Sequence, residues 1–368
     1  MKQLFIALFL IIGTSCLHAQ ALRLPSSTNL KCRAGRTIGV TQVDIQWNAP
    51  GVKGREGRIW GTDLAYFGTR VLGFGSKTQS PWRAGADEAT TISFSTDVIV
   101  NGSKLKAGKY ALFMELSPDS TVLVFNSNVN EWGSYFYDRS LDVLRVTARQ
   151  QKDISPSRER LEFTFANQTE NSVEIALEWE HWRIPFVVNV NLRETVLAQI
   201  RSEMSGALGF DPPSLQAAAA WCLTNNVNQS QALDWITSAT DPALGGVRTF
   251  AALSTRSGIL KALGNTKEAD TNMAEALENA NAMELHQYGR QLLAAGKTAE
   301  ALAVFEKNHT KNKGVWPTNV GLMRGYSAAG DLKKALQYAR LALVQAPDEL
   351  NRKNLETAIK TLESGKPL

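Results

Sequence analysis

Leu263-Gly264-Asn265-Thr266-Lys267-Glu268-Ala269, Ala295-Gly296-Lys297-Thr298-Ala299-Glu300-Ala301 and Ala329-Gly330-Asp331-Leu332-Lys333-Lys334-Ala335 are three versions of one pattern. Their glycines, Gly264, Gly296 and Gly330, recur at intervals of 32 and 34 residues. A glycine at this place ends one helix and permits a tight turn into the next, because it reaches positive φ at little steric cost. The alanine five residues later is where two antiparallel helices cross too closely for a larger side chain. The surroundings, rich in Ala, Leu, Gln and Glu, carry the helical period, so the stretch reads as stacked helical hairpins. Trp221-Cys222-Leu223 through Ala232 to Ala239 is a degenerate earlier copy, and Asp348–Ser364 is a closing helix that solvates the open end. This region is expected over residues 194–364.

Upstream of residue 191 the rhythm differs. Val40, Gln42, Asp44 and Gln46 alternate with Thr41, Val43, Ile45 and Trp47, which places one apolar face on a strand. Val98–Val100 runs into Asn101-Gly102, a pair suited to a type I′ hairpin. Tyr110, Leu112, Met114 and Leu116 alternate again, and further strands are expected at Leu161–Phe165, Val173–Trp179 and Pro185–Val190. About eight short strands with turn signals between them predict an all-β sandwich over residues 28–190. The fold class is thus multidomain α+β, a β-sandwich followed by an α-helical solenoid.

The repeats resemble tetratricopeptide repeats, whose period is about 34 residues. Tyr326 and Leu322 match the apolar first-helix positions of the third unit, and Gly289 the small position of the second; the consensus tryptophan is absent and Asn308 replaces a small residue. The β half resembles the bacterial domain of unknown function 2911 family on four stretches. These are Ile38-Gly39-Val40-Thr41 through Trp47-Asn48-Ala49-Pro50 to Ile59-Trp60-Gly61, Trp82-Arg83-Ala84-Gly85-Ala86-Asp87-Glu88-Ala89-Thr90, Leu105-Lys106-Ala107-Gly108-Lys109-Tyr110-Ala111-Leu112-Phe113, and Glu131-Trp132-Gly133-Ser134-Tyr135 with Asp142-Val143-Leu144-Arg145-Val146. The resemblance implies an exported β domain, followed in some members by a helical repeat region. Where that family carries Tyr-Ser-Arg-Pro, this chain has Trp47-Asn48-Ala49-Pro50, so any role of the arginine is not carried over.

Residues 1–20 have the layout of a secretory signal peptide. Lys2 is followed by the apolar run Leu4–Ile12 and then by small and polar residues ending at His18-Ala19-Gln20, with a run too short to span a bilayer. Thr14-Ser15-Cys16 is half of a lipobox, but Gly13 stands where a bulky aliphatic residue belongs, which disfavours a lipid anchor at Cys16. The expected location is the periplasm, the cell envelope or the medium. The net charge of +5 is spread evenly: residues 21–190 hold 20 basic and 18 acidic side chains, and residues 191–368 hold 19 and 17. That spread provides no basic face for nucleic acid. Cys32 and Cys222 fall in different expected domains, and Cys222 reads as a small buried residue.

Candidate ligand-binding residues form two groups. In the first, Trp82 offers a stacking face, Arg83 a fork for a carboxylate or phosphate, and Asp87 and Glu88 adjacent carboxylates; the structural alternative pairs Arg83 with Glu88 or Asp142. In the second, Asn126, Trp132 and Tyr137, with Tyr135 and Phe136, form an aromatic and amide cluster suited to a sugar, or else a loop packed over the sandwich; Asp142 and Arg145 follow them. Glu178-Trp179-Glu180-His181-Trp182 lacks metal-ligand spacing, and no nucleophile elbow, phosphate loop or dinucleotide fingerprint occurs. No metal or cofactor is expected. The leading expectation is a non-enzymatic envelope protein, its helical groove taking a protein partner and its β domain a glycan, a peptide or a second partner. The alternatives are a hydrolase acting on glycan or peptide through Arg83, Glu88 and Asp142, and a structural assembly subunit.

Overall fold

A computed structural model describes residues 29–368. The leader expected over 1–20, and Cys16, lie outside the described residues. The chain divides into two units, Met1–Thr195 and Val196–Leu368.

In the first unit the strands are β1 (Leu30–Ile38), β2 (Thr41–Ala49), β3 (Arg70–Val71), β4 (Gln79–Ser80), β5 (Thr91–Phe94), β6 (Val98–Val100), β7 (Ser103–Leu105), β8 (Gly108–Leu116), β9 (Thr121–Asn126), β10 (Asp142–Ala148), β11 (Arg158–Ala166), β12 (Ser172–Glu180) and β13 (Trp182–Asn189). They build a six-stranded sheet in the order β1-β2-β5-β8-β9-β10, a five-stranded sheet in the order β11-β12-β13-β6-β7, and the small β3-β4 ribbon. Every ladder pairing is antiparallel. The two large sheets share one core, to which β2 gives Val43, Ile45 and Trp47, β8 gives Leu112 and Met114, and β12 gives Ile175, Leu177 and Trp179.

The expectation of about eight strands missed the edges and the ribbon. β1 carries Lys31, Arg33 and Arg36, charges that blunt an edge strand and also erase its hydrophobic alternation. The hairpin between β6 and β7 does turn at Asn101 and Gly102, with φ of 43° and 85°. The decisive departure from a one-sided sheet is at β8 and β9. Their inward residues feed the main core, while Ala111, Phe113 and Val124 point outward and are fully buried with Tyr137 under the loop that follows β9.

From Leu192 on, the chain is helical, α1 starting in the last residues of the first unit: α1 (Leu192–Met204), α2 (Pro212–Asn225), α3 (Gln229–Ala239), α4 (Phe250–Ala262), α5 (Thr266–Asn279), α6 (Ala282–Ala294), α7 (Thr298–Lys311), α8 (Trp316–Ala328), α9 (Leu332–Val344) and α10 (Glu349–Glu363). The turns after α4, α6 and α8 hold Gly264, Gly296 and Gly330 at φ of 85°, 75° and 81°. Each turn closes in the same way. The glycine N–H donates to the carbonyl three residues back, as Gly264 does to Lys261, and the next residue's N–H reaches five residues back, as Asn265 does to Leu260. This satisfies carbonyls that a helix end leaves open. The following alanines, Ala269, Ala301 and Ala335, are all fully buried. Asn308 is also buried, and its Nδ2 donates to the Ala282 carbonyl at 2.8 Å, so a side-chain hydrogen bond between α7 and α6 replaces a small-residue contact.

Three glycines on first helices receive the Phe305 ring. A Cβ on Gly289, Gly321 or Gly325 would stand 2.3, 2.5 or 2.9 Å from it. Gly289→Ala is therefore expected to destabilise the helical unit by about 1–3 kcal/mol through overpacking, read as a lower urea midpoint at unchanged slope.

Candidate functional site

The Trp82–Thr90 segment does not gather its side chains at one point. Trp82 is 2% exposed, packed edge-on to Trp60 at 5.8 Å and parallel to Trp179 at 6.3 Å, so it has no face to offer a ligand. The expected pairing of Arg83 with Glu88 or Asp142 is absent. Arg83 donates instead to the Asp87 carbonyl at 3.0 Å and lies over the Tyr135 ring at 5.1 Å. Gly133 makes room for it, since a Cβ there would sit 2.5 Å from the guanidinium carbon. Glu88 turns to Lys31 at 2.6 Å and Asn48 at 2.7 Å, and the Lys31 bond holds its carboxyl below the usual range. Asp87 accepts from Asn29 at 3.1 Å.

The second group does converge, except for Trp132, which is 55% exposed. The Asp142 carboxylate accepts from Asn126 at 2.9 Å, from the Tyr137 hydroxyl at 2.6 Å and from Arg145 at 2.9 Å. Burial and this bond to a carboxylate push the Tyr137 hydroxyl well above its ordinary range. Arg145 reaches on to Glu115 at 2.5 Å. Glu115 went unread in the sequence, although its signal was present: it is the outward, polar position of β8 next to Ala111 and Phe113. It forms the floor of a cavity of about 550 Å³ walled by Thr69, Thr78, Gln79, Phe136 and Arg139. The cavity thus combines an aromatic ring, hydroxyls, an amide, a carboxylate and a guanidinium.

Glu131, in the same loop, is 4% exposed. Its Oε1 accepts from Asn128 at 2.9 Å, while Oε2 is buried without a partner among the described residues. Burial first, and then the negative Asp138 and Asp142, raise its pKa to about 7 against that one hydrogen bond.

In the helical unit, α6, α8 and α10 line a cleft of about 250 Å³. Arg290 and Arg324 line it, and neither has an ion pair or hydrogen bond among the described residues. The cleft walls, and then Arg290, hold the Arg324 guanidinium below the usual arginine range, although its side chain keeps solvent contact. His286 is 8% exposed with Nδ1 unpartnered, and the indole N–H of Trp316 is buried and unpartnered. Desolvation, reinforced by both arginines, lowers the His286 pKa to about 4. Neither residue stood out in the sequence, because a lone histidine and a helix-start tryptophan carry no spacing signal.

Among the described residues no group of three or more His, Cys, Asp or Glu could hold a metal, and no helix is long and apolar enough to cross a membrane.

A family model described as protein of unknown function (DUF2911) matches residues 30–188, and the β unit is a domain of that family followed by tetratricopeptide-like helices. No curated protein matches the chain. A solved structure of a tetratricopeptide repeat protein from Parabacteroides merdae is 16% identical over 47% of this chain and 68% of that one. Its TM-score is 0.29, and no conclusion rests on it.

Glu131 gives a pH signature. Its folded pKa is raised, so its stabilising contribution is full below about pH 4.5 and is lost as pH rises through about 7. Glu131→Gln is expected to gain about 1–3 kcal/mol relative to the parent between pH 4.5 and 8, measured by urea unfolding at both pH values.

Proposed function

We propose that this chain is an exported, non-enzymatic binding protein whose helical unit engages a protein partner and whose β unit holds a second ligand. The observation that carries the reading is the cleft between α6, α8 and α10, lined by Arg290 and Arg324, neither of which has an ion pair or hydrogen bond among the described residues. Stacked helical hairpins present such a surface along the face of their first helices. Binding fits better than catalysis through Glu88 and Asp142, because both of those carboxylates are already committed. Glu88 is held ionised by Lys31, which suits it poorly to general-acid work, and Asp142 accepts three hydrogen bonds. Export rests on Lys2 and the Leu4–Ile12 run, and N-terminal sequencing of the mature protein should begin after Ala19 or Gln20.

A glycan at the β unit is favoured by the cavity over Glu115. The half-exposed Phe136 can take the apolar face of a sugar ring, and planar polar groups such as Glu115, Gln79 and Arg139 can grip vicinal hydroxyls. Glycan-array signal with the full chain should fall at least tenfold in Phe136→Ala at unchanged melting temperature; equal signal in both proteins removes this cavity from the reading.

The partner reading is tested by crosslinked capture from envelope extracts. The intact protein should retain at least one protein that Ala358→Trp, which fills the cleft, loses. Identical capture by both proteins counts against the cleft as the docking surface.

A further inference from the structure

The cleft between α6, α8 and α10 also has a definite electrostatic character. Arg290 comes from α6 and Arg324 from α8, and among the described residues no Asp or Glu lines the space. Two guanidiniums sharing one cleft stay together at a cost, because like charges repel. Among the described residues neither guanidinium has an acidic side-chain partner to offset that cost. Arginine is also the side chain best shaped to grip an oxyanion in a fork.

The remaining lining adds donors. The Trp316 indole N–H is buried and unpartnered, and α10 supplies the amide of Asn354, while that of Asn351 already donates to Asp348 at 2.8 Å. The His286 ring is in hydrogen-bond reach of the Pro317 carbonyl, and its buried Nδ1 has no partner among the described residues. A buried indole N–H with no acceptor is expensive, and an oxyanion would supply the acceptor it lacks.

Charge and size select the ligand class. The cleft's lining side chains carry two positive charges and no negative one, with Leu368 also at the lining, and a dianion can engage both guanidiniums at once. At about 250 Å³ the cleft suits one compact group on a short stem. We infer that this cleft is a phosphoryl-binding site, taking the dianion of a phosphate monoester or free phosphate between Arg290 and Arg324. This deepens the partner reading by naming what enters the cleft, and it rests on that reading only for the source of the group.

Inorganic phosphate titrated into the full chain, at ionic strength held constant with chloride, is the direct test. Phosphate should raise the melting temperature in a saturable way and give a calorimetric isotherm. Arg290→Ala and Arg324→Ala should each weaken binding about 10- to 100-fold, the usual worth of a charged hydrogen bond. Binding should strengthen from pH 5 to 8 as phosphate takes its second charge near pH 6. Arg290 and Arg324 keep their charge across this range, and His286 stays neutral above about pH 4.

Glycerol phosphate and a phosphoserine peptide, run as separate arms, separate a small ester from a protein-borne group. Succinate binding as tightly as phosphate would overturn the assignment, and so would phosphate binding that survives both substitutions. Trp316→Phe is a milder probe that deletes one donor; it should lower affinity several-fold without lowering the melting temperature of the unliganded protein, since it removes an unsatisfied buried N–H. Phosphate binding with no captured protein leaves the site standing and removes the partner. A protein lost on Ala358→Trp, with no response to phosphate, removes the phosphoryl site.

Discussion

The Phe305 side chain, fully buried on α7, lies where Gly289, Gly321 and Gly325 leave space on α6 and α8. Three first-helix positions without a Cβ let two helices close on one aromatic ring, and that approach sets the spacing of the helical unit. The ring also contacts the imidazole of His286, with centroids 5.9 Å apart. The residues that open into the cleft are thus referenced to the same contact: His286 and Arg290 ride on α6, and Trp316 and Arg324 on α8. A packing constraint of hydrocarbon against glycine holds a set of charged and donor groups in place although those groups gain nothing from one another. The energetics are unequal. Dense packing around a buried phenyl contributes several kcal/mol, enough to tolerate the repulsion between two arginines whose charges are partly solvated.

The β unit uses a different arrangement. Covering the outer face of β8 and β9 with a loop buries Phe113, Val124 and Tyr137, and it also buries polar groups that sit beside them. The network of Asn126, Tyr137, Asp142, Arg145 and Glu115 is how those groups are satisfied. Buried ion pairs of this kind seldom add net stability, since desolvation offsets the attraction. Their consequence is orientation: Arg145 is pinned between two carboxylates, and Glu115 is fixed at the floor of the cavity.

Much of the architecture was legible from the residues, because it follows from period and turn chemistry. The change of rhythm near residue 191, the Asn101-Gly102 hairpin and the recurrent glycines each report a local backbone requirement. The strands that escaped notice are edges such as β1, where protective charges hide the alternation, and the two-residue ribbon of β3 and β4. The site was less legible, since it depends on which distant residues share a surface. Trp82 and Arg83 sit next to each other in sequence, yet one goes into the sandwich core and the other onto Tyr135. Glu115, 27 residues from Asp142, joins it through Arg145. Likewise, nothing in a one-dimensional pattern brings His286, Arg324 and Asn351 to the same cleft.

The tryptophans are divided unevenly between the two units, and this has an optical consequence. Trp60 touches Trp82 and Trp179 edge-on, both at 5.8 Å, and stacks on Trp182 at 4.6 Å. Indoles this close and steeply inclined couple their transitions, so the β unit should carry an exciton band in circular dichroism. Trp221, Trp235 and Trp316 are placed in no such cluster. Loss of that band would report melting of the sandwich alone, separating its unfolding from that of the helices without any added label.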